Sequence, residues 1–448
     1  MSRRWKLTCV ILLLALPVVV FYFILCRTAV NLPILDDYQI ILGTTNSLSQ
    51  AHTLTSQAAI VLNSEHNGYK LMFENGVVGA LYDVTGHIYI LPLVVFGNAF
   101  ALVIFSVVAL MAKDAATDVL TWLIMLMPAA YFLFQLQYAS ALNFASSSLQ
   151  HLAVVAFSLL AIYFLSRHAR STFALSCIAS VLAIASSPNG FFLAPVGVLM
   201  IIQQKRWKWL ACWITLFLLM LGLYLFHYTS MPAPEGSHEA AATSPHHINV
   251  IYALSFVGSS VARYSSVLPS VLLGILLCAL AGFATVRRYF LQNPAVFYSM
   301  LFILINAVAV SGLRSDSGVA QSLASRYRTY SNLMVVFSYL FIAETILPKW
   351  KSPVARQAAF AAITVASVMF CLVSDVAGAR FLKEKKLALT QSYRMQWQKN
   401  LTAESVADAE IQANPALRRQ IEAGIYNVNL PILQESVRLG VYDPPLKP

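Results

Sequence analysis

The chain has 448 residues, 58% of them hydrophobic and 11% charged, with a formal net charge of +11. A soluble domain cannot hide that much apolar surface, so the composition excludes a water-soluble protein and points to a polytopic membrane protein. The positive charge is no nucleic-acid signature, because the basic residues fall in short clusters between apolar runs, where they set topology.

The chain opens on Arg3, Arg4 and Lys6, followed by an apolar run from Leu7 to Cys26. A run of about 20 residues is long enough to cross a bilayer, and no A-x-A cleavage site follows it, so it reads as a retained signal anchor. Further apolar runs recur at 88–112, 119–139, 147–165, 171–186, 190–204, 209–228, 267–286, 295–313, 329–347 and 357–374. The pair 171–186 and 190–204 is short and is broken by Ser186-Ser187-Pro188-Asn189-Gly190, a turn signal. These runs predict an all-α fold with about eleven transmembrane helices.

Lys113, Arg167, Arg170, the run Lys205-Arg206-Lys208, Arg287-Arg288, Lys349, Lys351 and Arg356 fall on the same side as the N-terminal basic cluster. That side is predicted to be cytoplasmic. Parity then puts the 27–87, 229–266 and 314–328 loops and the C-terminal tail outside, which in a bacterium is the periplasm. The expected division is a transmembrane domain over 1–374 and a small soluble helical tail over 375–448, where the composition turns charged. All six cysteines lie in apolar runs with no paired spacing in a polar loop, which makes them small packing residues.

The first outer loop holds five acids, Asp36, Asp37, Glu65, Glu74 and Asp83. Leu48 to Leu62 and Tyr69 to Tyr82 have the spacing of helices lying along the membrane surface. The stretch NLPILDDY, Asn31 to Tyr38, brings Asp36 and Asp37 together just past the first span. Two adjacent carboxylates repel, and in a partly dry site one is pushed toward neutral pH, which suits a general base. The bland alternative is a helix N-cap at the membrane exit. The pentapeptide Asn31 to Leu35 recurs at 429–433, which two copies alone leave as coincidence.

Ser64-Glu65-His66-Asn67-Gly68-Tyr69-Lys70 places an acid, an imidazole and an amine between the two surface helices. It lacks the HExxH spacing of a zinc site. Ser325-Arg326-Tyr327-Arg328-Thr329-Tyr330, with Arg314 upstream, puts arginines on the outer side, where the topology rule makes cations scarce. A guanidinium is suited to gripping phosphate oxygens, and the alternative is snorkelling to headgroups. Arg263 and Tyr264 are a weaker member of the same class, and Asn189 and His246-His247 carry little signal. Neither a Walker A motif nor GxSxG occurs.

In their order and sidedness, LDDY, SEHNG and SRYRTYS resemble motifs of the GT-C superfamily of membrane glycosyltransferases, over roughly residues 1–375. That resemblance implies a periplasm-facing active site in the bacterial inner membrane. The donor would be a sugar on a polyprenyl phosphate. The acceptor would be a periplasmic glycan such as lipopolysaccharide or O-antigen, or a secreted protein such as a pilin. Asp36 or Asp37 would be the base. Arg326, Arg328 and Arg314 would hold the donor phosphate, and Glu65, His66, Lys70, Tyr38 and Tyr327 would line the site. The set implies no cofactor and requires no metal, although metal-dependent relatives exist. An O-antigen polymerase or ligase is the nearest enzymatic alternative, but its key outer loop usually comes late. A secondary transporter or lipid-linked sugar flippase would need matched broken helices in two halves, and a non-catalytic assembly protein would leave the clustered outer acids and arginines unexplained.

Overall fold

A computed structural model describes residues 2–66, 68–114, 116–228, 247–262, 266–399 and 430–445. The fold is helical throughout, with one two-residue hairpin, β1 (Glu65–His66) against β2 (Tyr69–Lys70). In chain order, α1 (Arg3–Thr28) is followed by a π-helix (Tyr38–Gly43), α2 (Thr44–Gln50) and α3 (Leu54–Asn63). The hairpin and α4 (Met72–Thr85) complete the first loop. Then come α5 (Ile90–Lys113), α6 (Val119–Leu133), the short α7 (Ala139–Leu142), α8 (Ala145–Leu165) and α9 (Arg170–Ser186). Next are α10 (Leu193–Gln203), α11 (Trp207–Leu225), α12 (Val250–Val257), α13 (Leu268–Val286) and the one-turn α14 (Tyr289–Gln292). The chain continues through α15 (Pro294–Arg314), α16 (Ser325–Phe341), α17 (Pro353–Lys399) and α18 (Leu430–Arg438).

Among the described residues, nine helices are long and apolar enough to cross a membrane, and two more apolar helices, Arg170–Ser186 and Pro188–Gln203, are shorter. These eleven segments coincide with the eleven apolar runs. The multi-pass architecture follows, with nine full-length candidates rather than eleven. The two short helices are the predicted hairpin around Pro188, whose turn is a 3₁₀ segment over Pro188–Phe192. Asn189 serves that turn by reaching the Tyr330 hydroxyl at 3.4 Å.

Two sequence boundaries shift. The change of composition at 375 falls inside α17, which runs unbroken to Lys399. Asp375 therefore joins Glu344 as an acid within a spanning helix, and both are satisfied. Asp375 accepts the Leu136 backbone N–H at 2.9 Å, and Glu344 accepts from the Tyr289 hydroxyl at 2.6 Å and Asn293 Nδ2 at 3.1 Å. In addition, α16 begins at Ser325, so the arginine motif is its first turn rather than the end of a loop.

The buried centre is α8, packed between α5 and α9. Without a hydrophobic driving force between helices in lipid, small residues permit the close contact that holds them. A Cβ at Gly97 of α5 would overlap Ser148 of α8, and one at Gly378 of α17 would overlap Leu136. The first loop folds over the end of the bundle where α8 and α16 begin and α15 ends. The basic clusters lie at the other end, where Arg167 pairs with Asp114 at 2.6 Å. All six cysteines are free thiols.

Candidate functional site

The stretch after α1 supplies helix caps that two spans lack. The first N–H groups of a helix have no partner within it. Tyr89 before α5 and Phe144 before α8 offer no side-chain cap. Asn31 fills the first gap, its Oδ1 accepting from the N–H groups of Ile90 at 2.7 Å and Leu91 at 3.3 Å. Asp37 fills the second. Its Oδ1 accepts from Ser146 N–H at 2.8 Å, and its Oδ2 from Ile34 N–H at 3.1 Å and Ala145 N–H at 3.4 Å. Asp37 is fully buried, and burial, only partly offset by these bonds, raises its carboxyl to about 7. The same turn is held from the other side by Lys385 of α17, whose Nζ donates to Ser140 O at 3.3 Å and Asn143 Oδ1 at 3.1 Å.

Asp36 points elsewhere. The backbone between Ile34 and Asp36 passes through the left-handed region at Leu35, with φ 50°. That conformation is strained for a residue with a Cβ; Asp36 and Asp37, adjacent at the start of the π-helix, point to different faces of the turn that follows. The Asp36 side chain is 46% exposed, and its Oδ1 lies 3.4 Å from Nε2 of His66. The sequence expectation of a coupled acid pair is thus replaced by one latch and one solvent-facing carboxylate.

His66 is carried by the hairpin, opposite Tyr69. The hairpin is clamped by the end of α11. The Tyr224 hydroxyl accepts from Lys70 N–H at 3.0 Å, and the Tyr228 hydroxyl donates to Gly68 O. The Lys70 ammonium, fully buried, donates to Asn63 Oδ1 at 3.3 Å and to Phe226 O at the end of α11. Burial lowers its proton affinity. Lys70 therefore holds the hairpin in place rather than facing a substrate.

Tyr69 is the meeting point. Burial raises its phenol, which hydrogen-bonds to Gln150 and feels the charges of Arg314, Asp36 and Arg326. Arg314 and Arg326 also bear on His151 of α8 and on Tyr252 of α12. Groups from the first loop, α8, α12, α15 and α16 thus come within electrostatic range of one another, although 290 residues separate Asp36 from Arg326. The Arg326 guanidinium lies 5.1 Å from the ring centre of Tyr327, which packs on Phe256 at 4.9 Å.

The two arginines of the motif do not converge. Residues two apart on an α-helix point to different faces. Arg328 turns away and donates to Gln137 O at 2.7 Å and Leu323 O at 3.2 Å. Tyr38, expected to line the site, is buried in the π-helix within electrostatic range of Tyr393 and Asp37. Glu65 and His66 line a cavity of about 330 Å³. Arg263, Tyr264 and His246 lie outside the described residues.

Sequence reasoning missed Tyr69 as the hub, as well as Gln150, His151 and Tyr252. Tyr69 lay inside a motif already singled out, but Gln150 and His151 sit in an apolar run, where two adjacent polar residues were the available signal. Asp36 and His66 offer two potential metal ligands, and among the described residues no group of three or more His, Cys, Asp or Glu forms. Compared with family models, curated proteins and solved structures, the chain matches none.

Proposed function

We propose that the chain is a membrane glycosyltransferase of the GT-C kind. It would act at the outer face of a bacterial inner membrane and move one sugar from a polyprenyl-phosphate donor to an acceptor hydroxyl. The observation that carries this reading is the convergence on Tyr69. A solvent-facing carboxylate, held beside His66, stands within electrostatic range of the same phenol as two arginines. The basic clusters at the opposite end of the bundle favour the outer side for this face.

The chemistry needs one base and a stabilised leaving group. Asp36 takes the proton from the acceptor hydroxyl as its oxygen bonds to the anomeric carbon. The bond from that carbon to the phosphate oxygen breaks, and the lipid phosphate leaves with the electron pair. Arg326 and Arg314 offset the charge that develops there, which is the electrostatic part of catalysis. Asp37 is not the base, since both of its oxygens are engaged by backbone N–H groups. His66 holds the Asp36 carboxylate in position, and Tyr69, hydrogen-bonded to Gln150, is within electrostatic range of the acid and of both cations.

The test is Asp36→Asn. Loss of a general base lowers the rate by about 10²–10⁴-fold. A half-exposed pair of this kind contributes at most about 1 kcal/mol to stability, so the variant should melt like the parent. Transfer is followed from polyprenyl-phosphate hexose to cell-envelope extract in reconstituted vesicles. Full transfer by Asp36→Asn ends the proposal.

A further inference from the structure

One cavity lies outside the group of side chains around Tyr69. It is about 330 Å³, bounded by the π-helix, α2, the hairpin and the start of α4. That volume is at the lower end of small-ligand sites, about 300–1,000 Å³. A π-helix in its wall is itself a sign, because this widened turn concentrates at functional sites.

The lining is polar and carries one carboxylate, Glu65, and one imidazole, His66, among mostly neutral groups. Thr44, Ser47 and Ser64 bring hydroxyls, and Gln39 and Asn75 bring amides. Ile40 and Leu71 add an apolar side, and the cavity has no lysine or arginine in its wall. A phosphate or another anion would find no cation here. A ring with hydroxyls at its edge and C–H groups on its face would find donors, acceptors and an apolar surface.

Asn75 supplies the independent observation. It is 2% exposed, and its Oδ1 accepts from the Thr44 hydroxyl at 3.2 Å. Its Nδ2, equally buried, has no hydrogen-bond partner among the described residues. An unmade hydrogen bond of this sort is costly, and a buried donor in a cavity wall invites an acceptor from a bound molecule. His66 is also part of the wall, and its Nε2 lies 3.4 Å from Asp36 Oδ1. A molecule seated in the cavity would therefore lie against Glu65 and His66 and next to the Asp36 carboxylate that His66 touches.

We propose that this cleft between the π-helix, α2 and α4 seats a neutral saccharide, the terminal sugar of the acceptor, with Asn75 donating to one of its hydroxyls. The assignment rests on the transferase reading and narrows it, since it makes the acceptor a glycan rather than a protein side chain.

The test needs no donor. Fluorescently labelled full-length chain in lipid nanodiscs is applied to an array of neutral oligosaccharides with hexose, N-acetylhexosamine and heptose ends, printed beside serine- and threonine-containing peptides. The expected result is retention on a subset of the glycans, reduced at least about ten-fold by Asn75→Leu. Asn75 is buried, so its replacement risks a misfolded chain. Ser47→Trp fills the same cleft from an exposed position on α2 and should reduce retention equally with unchanged melting. Binding to peptides alone, binding to neither, or glycan binding that Ser47→Trp leaves intact overturns the assignment. The two readings fail separately. No glycan retention, with transfer abolished by Asp36→Asn, removes the cleft and spares the transferase. Glycan retention that Ser47→Trp removes, in a chain that transfers no sugar, removes the transferase and leaves the cleft.

Discussion

Replacement of Asp37 by alanine separates the two carboxylates most directly. The side chain receives three backbone N–H groups, from Ile34, Ala145 and Ser146. Leaving a buried donor unsatisfied costs about 1–3 kcal/mol, but part of this is recovered where the first turn of α8 can rehydrate. The expected loss is about 2–4 kcal/mol, above the roughly 0.5–2 kcal/mol of an ordinary lost cap because three donors are left in a buried site. Asparagine keeps one carbonyl oxygen and should lose about half as much. Measurement at pH 6 holds the buried acid mostly protonated, so that ionisation does not add to the change. Unfolding in detergent can be followed with a fluorogenic thiol probe once the five cysteines that are not buried are replaced by alanine, because Cys371 is buried and free. A fall of on the order of 2–4 °C is expected for alanine, with Asp37→Asn in between and still transferring sugar. If Asp37→Asn melts like the parent and transfers nothing, Asp37 carries the chemistry and the division of roles is wrong.

The other consequences follow from the same geometry. Arg326→Ala should raise the apparent KM for the polyprenyl-phosphate donor about ten-fold or more with little change in melting. Arg328→Ala should instead lower the melting temperature, since it frees the carbonyls of Gln137 and Leu323; the opposite pattern in steady-state kinetics and melting curves would reverse their roles. The Asp37 carboxyl lies at about 7 in the folded chain against an ordinary 3.8. Between these values the folded state binds the extra proton, so its contribution to stability falls as pH rises, by about 4 kcal/mol in all. Melting curves from pH 4.5 to 8 should show the parent losing ground to Asp37→Asn over that window, and a constant gap would refute the linkage. Removal of residues 430–448 should destabilise the first loop, because Tyr442 donates to Asn31 O at 2.8 Å and Ile88 N–H to Val441 O at 2.7 Å. Faster proteolysis at residues 31–90 is the expected readout, and an unchanged digestion pattern would dismiss the strap.

The spans were legible because lipid demands long apolar helices, and a run such as 145–165 can be little else. Helix ends were less so. The arginine motif looked like loop because it is polar, but buried packing by Tyr327 and Tyr330 extends α16 over it. The boundary at 375 followed a change in composition that a continuous helix ignores, since α17 keeps its polar stretch packed through Lys385. The acidic motif was found in sequence, but its division was not. Whether Asp36 or Asp37 was buried depended on the face of the turn that each occupies and on a helix that starts more than 100 residues later.

The residues that carry polar side chains near the first loop can be sorted by what the fold already asks of them. Asn31 and Asp37 cap α5 and α8, Lys70 closes α11, Arg328 binds backbone carbonyls, and Asn189 holds a turn. Each such group is satisfied by its neighbours, and a group so engaged would have to break the fold to engage a substrate. Asp36 is of another kind, with half of its side chain open to solvent and no helix depending on it. The C-terminal segment sharpens this contrast. Its α18 lies against the π-helix and α2, where Ile432 O accepts from Asn46 Nδ2 at 3.2 Å. The tail therefore braces the wall of the cleft and the Asn31 end of the acidic stretch together. Bracing of that sort would have little purpose for a loop that only connects two spans. It suits a loop whose Asp36 carboxylate shares the surroundings of Tyr69 with Arg314 and Arg326.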